Sequence, residues 1–163
     1  MLLDIRNKFR MLAVVVLLAG GTMPVAHADD DDDERMPVAT NALWQAECGS
    51  CHLAYPPRLL PAESWQELMT GLDKHFGSDA SLDAPSAREI GAFLDKNAGR
   101  NRHSKPGKPV LRITETRWFV HEHDEVSADV WKNPKVKSAA NCAACHTGAE
   151  TGNYSERSIK IPR

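Results

Sequence analysis

The sequence predicts a mainly α protein made of two small helical halves with long loops. Two observations carry this prediction. Apolar residues recur every three or four positions in several segments, as on one face of a helix, and no segment shows the strict alternation typical of a half-buried strand. A segment rich in basic residues, glycine and proline, 99–109, interrupts the helical patterns and indicates a linker between the halves.

The first 28 residues have the features of a secretory signal peptide. Three basic residues precede an apolar run over 11–21, which is short for a bilayer span, and Ala-His-Ala at 26–28 has the form that signal peptidase accepts. We therefore expect cleavage after Ala28, export to the periplasm and no transmembrane segment in the remaining chain. An N-terminal membrane anchor is the alternative. Six consecutive acidic residues follow the cleavage site and predict a flexible, solvated tail over 29–37.

The N-terminal half, 38–98, contains three predicted helices. Trp65, Leu68, Met69 and Leu72 recur at helical spacing in the second of them. Potential caps mark the starts, since Asn, Thr and Ser side chains accept hydrogen bonds from free backbone N–H groups and proline suits a first helical turn. We expect the helices at 38–47, 61–76 and 86–97. Thr40 or Asn41 could cap the first, Pro61 suits the first turn of the second, Ser86 could cap the third, and Gly99 could close it.

The C-terminal half, 110–163, has weaker patterns. We expect an extended segment over 110–113, a helix over 118–130 and a last helix over 136–145, followed by a polar C-terminal segment. Asn133-Pro134 ends the first of these helices because proline cannot continue it.

Composition excludes several classes of protein. Hydrophobic residues make up 42% of the chain and charged residues 26%, as in an ordinary soluble domain and unlike a polytopic membrane protein or a disordered chain. The net charge of -2 argues against a general nucleic-acid binder, which is usually basic.

The pattern C-x-x-C-H occurs twice and uses all four cysteines of the chain. It is the attachment pattern of c-type haem. Two thiols on one tight turn can form thioethers with the two vinyl groups of a porphyrin, and the following histidine then lies under the ring and binds the iron. The motifs consist of Cys48, Cys51 and His52 in the first half and of Cys142, Cys145 and His146 in the second.

Two other uses of these cysteines are possible. Both pairs together could form a Cys₄ zinc site, and a single pair could be a thioredoxin-like redox centre, although no βαβ pattern surrounds either one. Two haem motifs behind an export signal favour haem, because haem c is attached outside the cytoplasm. We therefore expect two covalently bound haem c groups.

Each iron then needs a sixth ligand. In the first half His75 shares the apolar stripe of the second predicted helix, and Met69 on the same stripe is the rival. In the second half two histidines compete, and on a helix they would point about 200° apart. His123 falls on the stripe of Phe119 and Val126, whereas His121 lies on a mostly polar face, so we favour His123.

Five segments of the chain resemble the dihaem cytochrome c family of bacterial periplasmic proteins. The resemblance extends from about Met36 to Pro162, and the HFGSDASLD and ITETRWF stretches are more specific than the cysteine motifs. The segments are 48–57 (CGSCHLAYPP), 72–83 (LDKHFGSDASLD), 113–119 (ITETRWF), 141–146 (NCAACH) and 154–162 (YSERSIKIP).

The resemblance implies cytochrome c-like helical halves packed around two low-spin haems. His52 and His146 match the family's proximal ligands, His75 matches its HFG histidine, and His123 matches the histidine after its WF segment. The family also implies electron transfer, with a ligand-binding monohaem cytochrome c as acceptor and a membrane b-type cytochrome as donor.

Three functions are compatible with these residues. An electron carrier would have two six-coordinate irons and bind no substrate. A small dihaem redox enzyme, such as a peroxidase, or a haem-based sensor would need one iron with an open position. The chain is short for a two-domain peroxidase, and histidines are present for both irons, so we expect an electron carrier rather than an enzyme.

Overall fold

A computed structural model describes residues 39–100 and 108–163. The predicted signal peptide, the acidic tail and most of the predicted linker lie outside these residues. The described part contains five α-helices, several short 3-10 turns and isolated bridges but no β-sheet, which confirms the mainly α prediction. The helices are α1 Ala42–Gly49, α2 Ala62–Thr70, α3 Ala84–Asn97, α4 Arg117–Glu122 and α5 Ala128–Lys132.

Helix α1 begins where one of the two predicted caps stands. Asn41 is the cap, because its side chain accepts a hydrogen bond from the backbone N–H of Trp44 at 2.8 Å. Its amide nitrogen also donates to Glu89 of α3 at 3.0 Å, so one residue both starts α1 and ties it to α3. The helix is shifted along the chain from the predicted 38–47, and its last turn contains Cys48.

Helix α2 is shorter than the predicted 61–76. It ends at Thr70, because the backbone of Gly71, with φ -113° and ψ 22°, leaves the helical conformation, and a 3-10 turn over Leu72–Lys74 follows. The expectation that His75 belongs to this helix was therefore wrong. Glycine ends the helix because it loses the most conformational freedom on becoming helical.

Helix α3 begins earlier than predicted. Asp83 is its cap, since its carboxylate accepts hydrogen bonds from the backbone N–H and from the hydroxyl of Ser86. The two bonds lower the pKa of the Asp83 carboxyl group, because they stabilise its ionised form. Ser86 is thus the third residue of the helix and not its cap.

The second half is less helical than predicted. The expected helix over 118–130 is divided into α4 and α5, with extended backbone at Ser127 between them. The expected helix over 136–145 is wrong: only a 3-10 turn over Cys142–Ala144 forms there. Lys137 has a positive φ of 65°, and the side-chain amide of Asn141 donates to the carbonyl of Val136, which replaces helical bonding.

The main core lies in the first half. Trp44, Ile90 and Leu94 are buried together between α1 and α3, and Trp65 and Met69 of α2 pack against them. The rings of Trp44 and Phe93 lie 5.2 Å apart. This core fixes the end of α1, and therefore the start of the first cysteine motif. Within the described ranges, no helix is both long and apolar enough to cross a bilayer.

Gly99 lies where two backbone segments touch. Its N–H donates to the carbonyl of Leu60 at 2.8 Å, and a Cβ at this position would overlap the carbonyl oxygen of Arg58. The position therefore needs glycine for close approach, although α3 itself already ends at Asn97.

Gly99→Ala should destabilise the protein, because the added methyl group must displace backbone atoms. Overpacking of this kind costs about 1–3 kcal/mol, and thermal unfolding of the haem-loaded protein should detect it as a lower midpoint temperature. Gly91→Ala is the matched control: it lies inside α3, its Cβ would meet nothing within 4 Å, and alanine should gain about 0.5–1 kcal/mol there. Equal midpoints for the two variants would contradict the role given to Gly99.

Candidate functional site

The first C-x-x-C-H motif begins in the last turn of α1. Cys48 is half-buried against the main core, and this burial raises the pKa of its thiol. Cys51 is exposed, with its sulfur 3.6 Å from the hydroxyl of Ser50, and His52 follows directly. The core thus anchors one thiol of the pair and leaves the other, with the histidine, outside it.

The second motif stands on a 3-10 turn. The backbone N–H groups of Cys145 and His146 donate to the carbonyl of Cys142 at 3.2 and 2.8 Å. The C-terminal segment braces this turn, because the N–H of Lys160 donates to the carbonyl of Cys145, and Ile159 forms an isolated bridge with His146. The polar C-terminal segment is therefore part of the site.

His75 faces the histidine of the first motif. The ring centroids of His52 and His75 lie 6.1 Å apart, with an angle of 24° between the ring planes. Burial lowers the pKa of His75, and the neighbouring His52 and Arg112 lower it further, which favours the neutral form of its ring. A neutral imidazole has a lone pair for a metal ion.

A sharp turn, and not a helix, positions His75. Phe76 and Gly77 both have positive φ, 49° and 99°, and the N–H of Ser78 returns to the carbonyl of His75 at 3.0 Å. Gly77 adopts this backbone freely, whereas Phe76 pays a steric penalty for it. This turn brings His75 to His52, whereas the helical stripe that was used to select His75 does not exist.

His123 faces the histidine of the second motif. The ring centroids of His123 and His146 also lie 6.1 Å apart, with the ring planes at 75°. His123 is the residue after the last turn of α4, and its ring stacks on Phe119 with centroids 4.1 Å apart. Thr116 caps the helix through a 3.1 Å bond from the N–H of Phe119 and so fixes this pair. Burial lowers the pKa of His146.

The two alternative ligands lie elsewhere. His121 is exposed on α4, and its Nδ1 is 3.9 Å from a carboxylate oxygen of Asp124. Met69 packs on the main core beside Trp65. Neither residue is paired with a motif histidine in the described contacts, whereas His75 and His123 both are.

The two histidine pairs fit an iron ion between them. Imidazole nitrogens bind metal ions at about 2.0–2.1 Å, so two imidazoles on opposite sides of one ion have ring centroids about 6 Å apart. The Nδ1 atoms of His52 and His123 lie 2.7 and 2.9 Å from the carbonyls of Leu53 and Phe119. These bonds assign the proton to Nδ1 and leave Nε2 for the metal.

The zinc alternative finds no support in this geometry. In 39–100 and 108–163 no three His, Cys, Asp or Glu side chains converge as a metal site would require. The four cysteines also form no disulfide bond. All four thiols are therefore available for thioether formation.

The comparisons with known proteins identify the family. The family model described as Dihaem cytochrome c matches residues 44–154, which include both motifs and both histidine pairs. The chain belongs to the dihaem cytochrome c family. Membership implies two haem c cofactors, and the residues present in this dihaem cytochrome c fit them, since each half offers one thiol pair and one pair of facing imidazoles.

Solved structures agree with this membership. A diheme cytochrome c from Rhodobacter sphaeroides is 46% identical, with a TM-score of 0.66, over 72% of this chain and 98% of that one. A diheme cytochrome type c from Shewanella baltica is 40% identical, also with a TM-score of 0.66, over 77% of this chain and 95% of that one. None of the curated proteins compared with the chain matches it.

Sequence reasoning missed the tyrosines of this dihaem cytochrome c. Tyr55 stacks on His52 with ring centroids 4.8 Å apart, and Tyr154 packs against His146 at 5.3 Å. Burial raises the pKa of Tyr55 to about 12. The chain has only these two tyrosines, and the position of Tyr55 three residues after a motif histidine was the available signal.

Proposed function

We propose that this dihaem cytochrome c is a periplasmic electron carrier whose two irons each have two histidine ligands. The observation that carries the proposal is the equal spacing of the two histidine pairs, 6.1 Å in each half. An iron bound by two histidines as well as by the porphyrin would have no place for oxygen, peroxide or another substrate. When bound, haem c supplies reversible one-electron exchange between Fe(II) and Fe(III).

Each residue has a defined role in this proposal. His52 and His75 would hold one iron, and His146 and His123 would hold the other. The thiols would form the thioether bonds: Cys48 and Cys51 in the first half, and Cys142 and Cys145 in the second.

The protein orients these ligands through its backbone. The carbonyls of Leu53 and Phe119 each accept a hydrogen bond from a ligand imidazole, which fixes the ring and makes its other nitrogen a better donor to iron. Histidine at both positions also favours a low reduction potential, because a methionine ligand would raise it.

The proposed partners follow from the family resemblance. They are a monohaem cytochrome c as electron acceptor and a membrane b-type cytochrome as donor, both meeting the exported protein in the periplasm. The signal-like sequence over 1–28 supports the export.

Mass and visible spectra of the purified, exported protein test the proposal. The intact mass should equal the chain from Asp29 to Arg163 plus two haem groups. Both ferric haems should be low-spin, and the reduced protein should bind no carbon monoxide. A high-spin centre, or carbon monoxide binding to one haem, would contradict the carrier and favour a redox enzyme or a sensor. A single haem, or bound zinc, would contradict the site itself.

A further inference from the structure

The two tyrosines differ in what their hydroxyl groups contact. Both rings lie against the histidine of a C-x-x-C-H motif. The hydroxyl of Tyr154 is buried and has no hydrogen-bond partner among the described residues. The hydroxyl of Tyr55 donates to the backbone carbonyl of Ala140 at 2.6 Å. Tyr55 therefore makes a bond that Tyr154 does not.

This bond joins the two halves of the protein. Tyr55 follows the first motif by three residues, and Ala140 precedes Cys142 of the second motif by two. The ring of Tyr55 thus contacts the imidazole of His52, and its hydroxyl contacts the backbone just before the second motif. The two residues are 85 positions apart in the sequence, so the bond is a tertiary contact and not part of a local turn.

The Tyr55 end of the bond is rigid. Pro56 and Pro57 are both buried, and a proline restricts the backbone of the residue before it. The indole N–H of Trp65 donates to the carbonyl of Pro57 at 2.6 Å, which ties this diproline segment to α2. The tyrosine is therefore held by the main core of the first half.

The Ala140 end is also fixed. The neighbouring Asn141 bonds twice to the preceding loop: its side-chain amide donates to Val136 and its backbone N–H to Ser138, both at 3.0 Å. Val136 is almost fully buried. A hydrogen bond between two rigid segments constrains distance and orientation, whereas one between mobile segments would constrain neither.

We propose that Tyr55 is a positioning residue that fixes the separation and orientation of the two haem-binding sites through its bond to Ala140. The inference rests on the proposed function, because the separation of the two irons matters only if an electron passes between them. In that transfer one iron is oxidised from Fe(II) to Fe(III) and the other is reduced from Fe(III) to Fe(II). A second contact between the halves, the guanidinium of Arg112 4.1 Å from the centre of the Phe76 ring, limits how far they separate without Tyr55.

Tyr55→Phe in the haem-loaded protein tests this role, because it removes the hydroxyl and keeps the stacking ring. Pulsed EPR measures the distance between the two ferric irons. We expect a broader distribution of iron–iron distances. The ratio of molecules with the wild-type separation to molecules with another separation should fall about fivefold, as for the loss of one neutral hydrogen bond. Tyr154→Phe is the matched control: it makes the same chemical change beside the other motif histidine and should keep the wild-type distribution.

An unchanged iron–iron distribution in Tyr55→Phe would overturn the proposal, as would equal broadening in both variants. If Tyr55→Phe fails to load haem, NMR of the reduced, diamagnetic wild-type protein replaces it. Cross-relaxation between the Tyr55 ring and Ala140 or Asn141 is then expected, and its absence overturns the proposal. Failure of the proposed function appears separately, as carbon monoxide binding or a missing haem in the wild-type protein before any variant is compared.

Discussion

His75→Ala should change one haem from low spin to high spin and leave the other unchanged. Removal of the imidazole that faces His52 at 6.1 Å opens one axial position, and no other described histidine is paired with His52. Carbon monoxide titration of the reduced variant should show binding to one of the two haems, whereas the wild-type protein should bind none. His123→Ala should have the same effect on the other haem, and the double variant should bind carbon monoxide at both.

His121→Ala is the control for these variants. It removes an exposed histidine two residues from His123 whose described contact is with Asp124, so both haems should remain low-spin. An unchanged spectrum in His75→Ala would assign the ligand to Met69 or to another residue. A high-spin haem in His121→Ala, with none in His123→Ala, would reverse the assignment in the second half.

Loss of the second haem should unfold the second half of the protein, and loss of the first haem should affect the first half less. The helices α4 and α5 are six and five residues long, and helices shorter than about 12 residues are marginal in water without tertiary packing. Among the described residues the second half buries few apolar side chains fully. The buried apolar residues are Phe119, Val136 and Ala149 in the second half and Trp44, Leu60, Ile90 and Leu94 in the first.

Paired cysteine variants test this asymmetry. Hydrogen exchange of Cys142→Ala/Cys145→Ala should show loss of amide protection over 110–163 with protection kept in α2 and α3. The matched variant, Cys48→Ala/Cys51→Ala, should keep part of the protection in α3, because Trp44, Ile90 and Leu94 bury one another between α1 and α3. Equal loss of amide protection in both halves for both variants would contradict the asymmetry, because the two haems would then contribute equally to the stability of each half.

The sequence suggested the two histidines that face the motif histidines, but the backbone that positions them was not predictable from it. His75 was selected as part of a continuous apolar stripe, yet α2 ends at Thr70 and a turn through Phe76 positions the histidine. The turn nevertheless brings His75 to His52, and the role of His75 as an iron ligand stays a prediction. A positive φ at a phenylalanine has no propensity signal, since tertiary contacts impose it.

The second half shows why local patterns fail near a cofactor. Four alanines over 136–145 favour a helix by propensity, yet the side chain of Asn141 bonds to Val136 and the chain turns instead. In contrast, the four-residue spacing of Phe119 and His123 predicted a shared face, and these rings do stack. One turn of helix was sufficient for that contact, although the predicted 118–130 helix is divided.

The two pairs of imidazoles share a spacing but not an orientation: their planes lie at 24° in one pair and at 75° in the other. If both rings of a pair bind one iron, nearly parallel rings would interact mainly with the same one of the two iron dπ orbitals and would separate its energy from that of the other. Nearly perpendicular rings would each interact with a different one and would leave the two orbitals almost degenerate. Under the proposed ligation the two ferric centres therefore differ in magnetic anisotropy, and the position of a single electron in the half-reduced protein can be read from which magnetic signature disappears.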